Sequence, residues 1–417
     1  MRALNVWYEA LVQQERGVCR SKRFLALLFA VTVHIGAAAS PARADDRPPG
    51  SPVAGSEGDK PWYERLHLRG YTQIRYNRIG ASNPHLKNDQ GDKSIGADGG
   101  FGFRRLRLII FGDMAKFLSV YIQPDFASAI GDQLNVGIVR DWYTDIFLDD
   151  RREFRIRVGQ SKVPYGWELM QSSQNRLPFD RSDALNSAFT NERDIGAHFM
   201  FAPDWVRKRF KHLVDDGLKG SGDYGMVAVG LINGQPLNSK EKNDNKHFVA
   251  RVTYPFQIGA QTLELAAGGY TGLFVPTKGE GITGAKEFRD FRAHGTVVLY
   301  PQPIGFQFEY NAGVGPELDG TVIREKPLDG GYAMTMVRIP TNDFGVFTPY
   351  VRVHRYDGGK KFETSAPRHE VRELNAGVEW QYKKWLELTT EYMESARTVN
   401  GKEEAGRLLR LQLQFNY

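Results

Sequence analysis

The sequence predicts an all-β fold, a transmembrane antiparallel β-barrel of about 16 strands. Three observations predict it. About sixteen segments alternate apolar and polar residues with period two. The connections between them largely alternate short and long. The chain ends on such a segment, closing with Phe415-Asn416-Tyr417. With 41% hydrophobic residues and a mean hydropathy of −0.45, the 417-residue chain cannot supply the several apolar runs of a polytopic helical membrane protein. Barrel strands escape that limit because alternation hides their apolar face. Forty-four glycines and 12% aromatic residues are unlike a disordered chain. The single cysteine, Cys19, excludes a disulfide framework and a cysteine zinc site.

The first 44 residues read as an export signal. Arg20, Lys22 and Arg23 precede the apolar run Phe24 to Val33, small residues follow, and Ala42-Arg43-Ala44 stands before Asp45-Asp46. Basic, apolar and small-residue regions in that order make a secretory signal cleaved after Ala44. The basic region is long, so a start nearer Val18 is expected. Cleavage leaves 49 basic and 47 acidic residues, a formal charge of +2, and no cysteine. The apparent basicity belongs in part to the signal and argues for no nucleic-acid partner. Residues 45–65 then form a Pro/Gly/Ser-rich leader, and 66–417 the barrel.

The alternating segments lie near 66–77, 103–113, 117–127, 135–147, 153–163, 193–202, 223–232, 246–254, 261–272, 288–300, 303–314, 331–339, 344–356, 370–382, 385–396 and 405–417. In the last, Leu409, Leu411, Leu413, Phe415 and Tyr417 point one way and Arg410, Gln412, Gln414 and Asn416 the other. Short connections fall at 115–116, 149–152, 255–260, 301–302, 340–343 and 383–384. Long polar ones fall at 78–100, 164–192, 233–245, 273–287, 315–330, 357–369 and 397–404. Tight periplasmic turns against long outer loops are the mark of a barrel in the outer membrane of a Gram-negative bacterium. The misfit is 203–222, long on the short side. Its stretch 203–218 fits a short amphipathic helix or a solvated connection equally well. Trp380, Tyr382 and Trp385 around one short turn, and Tyr254 and Phe256 around another, suit a headgroup-level aromatic girdle. A terminal aromatic on an alternating last strand is what barrel-assembly machinery reads.

The alternation also assigns the lumen face. Arg69, Arg75, Arg105, Arg107, Arg155, Arg157, Arg251, Arg292, Arg352 and Arg410 fall inward. So do Asp125, Asp141, Asp145, Asp194, Glu264, Glu309, Glu373, Glu379, Glu387 and Glu391. Arginine concentrates on the first five strands and glutamate on strands fourteen and fifteen. Walls of opposite sign would set a field across the pore; the plainer reading is a polar face whose charges pair among themselves.

One stretch resembles a known family. Val158-Gly159-Gln160-Ser161-Lys162-Val163-Pro164-Tyr165-Gly166, Gln171-Ser172-Ser173, Leu177-Pro178-Phe179-Asp180-Arg181-Ser182 and Arg193-Asp194-Ile195-Gly196 look like the phosphate-selective, O/P-type outer-membrane porins. Weaker matches are Phe103 to Leu108, Asn233-Gly234, Pro349 to Arg352 and Leu411 to Tyr417. The resemblance implies a sixteen-stranded barrel, usually a homotrimer, that passes small anions, and a third outer loop folded into the lumen. That loop, 164–192, carries Arg176 and Arg181, with Lys162 at its root and Arg193 at its exit; Glu168, Asp180 and Asp183 lie on it too. Strict alternation turns Lys162 outward, and a bulge would be needed to turn it inward. The long 203–222 segment departs from the tight turn the family has there.

The candidate pore-lining, anion-binding residues are therefore Arg105, Arg107, Arg155, Arg157, Lys162, Arg176, Arg181 and Arg193. Arginine's planar fork suits phosphate oxygens, and lysine acts as a point charge. No enzyme, cofactor or metal is expected: the sequence has no G-x-x-x-x-G-K-[ST], H-E-x-x-H or G-x-S-x-G, and Ser239 with Lys242 matches S-x-x-K only on a polar loop. The leading expectation is a passive outer-membrane channel with a preference for anions such as phosphate. A non-selective or sugar-conducting porin shares the same barrel. A secreted soluble β-rich binding protein or hydrolase shares only the alternation.

Overall fold

The computed structural model describes residues 61–87, 99–130 and 133–417. The expected signal, 1–44, and most of the expected leader, 45–65, lie outside the described residues. A single 3-10 turn, Trp62–Arg65, leads into the first strand.

Sixteen spanning strands follow. They are β1 (Leu66–Ala81), β2 (Phe101–Ala115), β3 (Leu118–Ile130), β4 (Gln133–Phe147), β5 (Phe154–Lys162), β6 (Arg193–Phe201), β7 (Val227–Ile232), β8 (His247–Ile258), β9 (Gln261–Phe274), β10 (Phe288–Leu299), β11 (Ile304–Asp319), β12 (Val322–Val337, continued by Ile339–Thr341), β13 (Gly345–Gly359), β14 (Arg368–Lys383), β15 (Leu386–Val399) and β16 (Lys402–Asn416). Each pairs antiparallel with the next. β1 pairs with β2 on one side and β16 on the other, from Tyr71↔Asn416 to Ala81↔Leu408. Gly70 and Tyr417 exchange both backbone hydrogen bonds, at 2.6 and 3.0 Å. The sheet is closed and leaves no edge, the condition for strands to cross a membrane. Among the described residues no helix is long and apolar enough to cross one.

Burial is inside out relative to a soluble protein. On β11, Phe306 and Phe308 are 40% exposed and Tyr310 37%, while Gln307, Glu309 and Asn311 between them are at most 2% exposed. The apolar face points outward and the polar face is enclosed. Of the twenty inward charges read from alternation, all but Arg69 are buried.

Two expected long loops are not loops. β11 and β12 run on as paired strands to a turn at Gly320-Thr321, and β15 and β16 to a turn at Asn400-Gly401. Asn400 and Gly401 both have positive φ, +48° and +85°, the conformation of a two-residue hairpin turn whose twist matches its strands. Polar composition hid these strands because they extend past the apolar band, where neither face needs apolar residues. The stretch 203–218 holds helix α3 (Asp204–Asp215), preceded in the chain by two single-turn helices, α1 (Trp167–Met170) and α2 (Asp183–Asn186). Val206, Phe210 and Leu213 recur at helical spacing and form the buried face of α3.

Candidate functional site

The connection from β5 to β6, residues 163–192, is buried almost throughout, and its partners are lumen-facing side chains. The amides of Trp167 and Glu168 donate to Glu309 of β11 at 2.6 and 3.0 Å. Arg352 of β13 reaches the Glu168 carboxylate at 3.0 Å, and Arg292 of β10 the Ser187 hydroxyl at 2.7 Å. Asp180 receives Arg410 of β16 at 2.6 Å and Arg75 of β1 at 3.2 Å. On its apolar side Tyr165, Leu169, Leu177, Leu185 and Phe189 pack with Tyr270, Tyr332, Met334 and Tyr350 of the wall. Each such side chain removed from water stabilises the loop's position by roughly 1.5–3 kcal/mol.

All eight candidate residues are buried, none more than 6% exposed, and all bond to protein groups. Arg107 binds Asp125 at 2.8 Å and the Tyr71 hydroxyl at 2.7 Å. Arg105 donates to Gln73 at 2.6 Å. Arg157 forks onto Asp145 at 2.7 and 2.8 Å, its guanidinium 3.8 Å from the Tyr143 ring centroid. Arg155 binds Asp223 at 2.7 Å. Arg176 donates to the Pro178 and Phe179 carbonyls of its own loop at 3.0 and 2.7 Å. Arg181 pairs with Glu192, and Arg193 with Glu192 and Asp141. The opposite-sign walls are therefore largely cancelled by local pairing, the plainer of the two readings.

Lys162 departs from its expected phase. Its ammonium donates to the Met170 and Gln171 carbonyls of the loop, at 2.7 and 2.9 Å. No bulge turns it: the β5–β6 register runs unbroken to Lys162↔Arg193. Alternating burial stops at Gly159, whose φ of +124° breaks the pleat, and Gln160, Ser161 and Lys162 are all enclosed.

Four of the eight converge. Arg107, Lys162, Arg181 and Arg193 lie around Asp125, Asp141 and Glu192, and Arg140 joins them, 3.4 Å from Asp125. Four guanidiniums, those of Arg107, Arg140, Arg181 and Arg193, thus share three carboxylates, with Lys162 held beside them by loop carbonyls. Arg140 was missed because alternation turns it outward. The β3–β4 ladder pairs Gln123 with Asp141 and Pro124 with Val139, skipping Arg140 in a β-bulge. The available signal was Pro124, which has no N–H for the ladder. A second bulge, between Gln73↔Arg105 and Ile74↔Phe103, skips Arg104. Arg104, Arg176 and Arg410 all act electrostatically on Arg75 beside Asp180.

Asp183, His354 and Glu373 bring possible metal-ligating atoms together. Arg397 already bridges Asp183 and Glu373, at 2.9 and 2.8 Å, and Lys360 holds Asp183 at 2.7 Å. Burial opposes the Asp183 charge, but Arg397 and Lys360 hold the carboxyl well below the usual range. Those two side chains occupy the role a metal ion would take.

The profile of the family described as phosphate-selective porin O and P matches residues 76–417. No curated protein matches the chain. Among solved structures, the outer-membrane channel DcaP of Acinetobacter baumannii is similar at 13% identity and a TM-score of 0.50, covering 84% of this chain and 97% of that one. Salmonella typhi OmpF, in complex with daunomycin, is similar at 11% identity and a TM-score of 0.52, covering 84% and 97%. Pseudomonas putida OprB is similar at 7% identity and a TM-score of 0.52, covering 85% and 95%. At these identities the likeness is one of fold.

Proposed function

The chain belongs to the phosphate-selective porin O and P family, and from that premise we propose that this outer-membrane porin passes small hydrophilic anions such as phosphate down their gradient. The observation that carries the anion preference is the imbalance beneath the third loop, where the four guanidiniums of Arg107, Arg140, Arg181 and Arg193 share Asp125, Asp141 and Glu192, with Lys162 beside them. Charge screening over about 8 Å at physiological salt makes an excess of positive charge matter where the lumen is narrowest. The inward position of the third loop supports placing the narrowing there. Arg105 and Arg176 flank that region, and Arg155 and Arg157 lie toward the short-turn end. A donor set rich in guanidinium forks suits a phosphate oxygen better than a sugar hydroxyl.

We infer the following from the sequence and, for the oligomer, from the family resemblance. The first 44 residues are removed on export, the last strand is presented to barrel-assembly machinery, the apolar face meets outer-membrane lipid, and three copies assemble.

Planar-bilayer recording in a salt gradient tests the preference, with chloride, phosphate and a large organic anion compared. A reversal potential of anion-selective sign is expected. A reversal potential near zero would leave a general diffusion pore. Replacing Arg176 and Arg181 together with glutamine is expected to lower the anion/cation permeability ratio. If they only hold the loop, the ratio stays and the current flickers.

A further inference from the structure

The connection from β6 to β7 does not turn back at the barrel rim. Helix α3, 12 residues and so about 18 Å long, is tied down at both ends. At its start, the Asp204 amide donates to Glu153 at 3.0 Å and Arg207 to the Arg152 carbonyl at 2.6 Å, both in the β4–β5 turn. Arg209 donates to the Pro255 carbonyl of β8 at 2.7 Å. At its end, Lys384 of the β14–β15 turn donates to the Asp215 carbonyl at 3.1 Å. β14 stands eight strands round the barrel from β6, half its circumference.

Past the helix the chain enters the barrel. Leu218, Lys219, Gly220 and Ser221 are all buried. Lys219 pairs with Glu379 on the lumen face of β14. Gln171 of the third loop donates to the Lys219 carbonyl at 2.6 Å, and Asn175 to the Gly220 carbonyl at 3.5 Å. Trp167 of that loop packs in one apolar cluster with Val206, Phe210 and Leu213 of the helix. The chain then returns, Asp223 taking Arg155 at 2.7 Å.

We propose that residues 202–226 form a bar across the periplasmic mouth, a second constriction that docks on the third loop from below and limits what the pore passes, with Lys219 as its charge. The proposal rests on the channel reading above. Two loops from opposite ends of the barrel meet inside it, so a solute that clears the outer loop still has to pass the bar.

The test is bilayer recording of two full-chain variants, with closure of each barrel checked by heat-modifiable migration on a denaturing gel. In the first, residues 203–224 are replaced by Asn-Gly, a two-residue turn. A severalfold rise in single-channel conductance is expected, with passage of organic anions that the wild type excludes. Unchanged conductance from a closed barrel overturns the bar. In the second, Lys219→Gln keeps the bar and removes its charge. The reversal potential is expected to shift toward cation permeation at near-constant conductance, because Lys219 lies on the bar and against the lumen wall; an unshifted potential takes Lys219 out of the ion path and overturns the bar even if the first variant does not close. A wild type that conducts nothing while the excised chain conducts also supports the bar. If both are silent, the channel reading itself fails.

Discussion

Arg410 donates to Asp180 at 2.6 Å, tying the third loop to the last strand of the barrel. The same carboxylate takes Arg75 at 3.2 Å, and Arg75 forks onto Gln412 at 3.0 and 2.7 Å. Arg75 lies on β1 and Arg410 on β16, so Asp180 bridges the seam at which the sheet closes. Glu391 pairs with Arg410 from the other side.

Removing this carboxylate should loosen both loop and seam. Asp180→Asn leaves two buried guanidiniums short of a counter-charge, a change of the kind that costs about 3–5 kcal/mol. Lower unfolding free energy in lipid, a noisier single-channel current and a higher anion/cation permeability ratio are expected. Wild-type stability would mean that Glu391 and Gln412 suffice for the two arginines.

The lipid face makes a second expectation. Leu411 pairs with Tyr76 across the seam and Gln412 with Arg75, so neighbouring residues stand on opposite faces. A cation near the bilayer midplane costs roughly 2–4 kcal/mol and much less near the interface. Leu411→Arg should therefore destabilise the barrel more than Gln412→Arg. Equal unfolding free energies in lipid would contradict the assigned phase.

Closure itself depends on the final residues. Tyr417 exchanges both backbone bonds with Gly70, Phe415 pairs with Thr72, and Asn416 with Tyr71. Deleting Phe415 to Tyr417 removes these rungs and leaves strand edge unsatisfied in lipid. The truncated chain should be exported but not inserted, as read by outer-membrane fractionation. Normal insertion would show that the rest of the seam is enough.

Lys361 carries a pH dependence. It lies in the connection from β13 to β14, its ammonium on Asp290 and near the Tyr270 hydroxyl at 3.4 Å, with the Phe189, Phe274 and Phe362 rings around it. Burial, the larger effect, pushes the ammonium down to about 8 despite the pull of Asp290; Arg292 also lowers it, and Asp194 opposes. An unfolded lysine titrates near 10.4. Between about pH 8 and 10.4 the unfolded chain holds a proton that the folded chain has released, so this group makes stability rise with pH across that window. Unfolding free energies of wild type and Lys361→Met should diverge there, the wild type gaining relative to the variant. Parallel curves would place the Lys361 titration at its ordinary position.

Local sequence determined the strands and their faces. Side-chain direction in a strand has period two, and lipid outside with polar groups inside imposes that period on composition, so Gln307, Glu309 and Asn311 could be placed inward by counting. The third loop's charges were also legible, through a motif. Three things were decided only by tertiary structure. Arg104 and Arg140 owe their places to bulges, which depend on how two strands align rather than on either alone. Lys162 is drawn inward by carbonyls of a loop that must first fold back. The pairing of Lys219 with Glu379 joins residues 160 apart in the chain, and only a closed barrel brings the β6–β7 connection onto the opposite wall. Alternation is a property of neighbours in sequence, whereas the content of the lumen is set by residues that meet only after the sheet has closed.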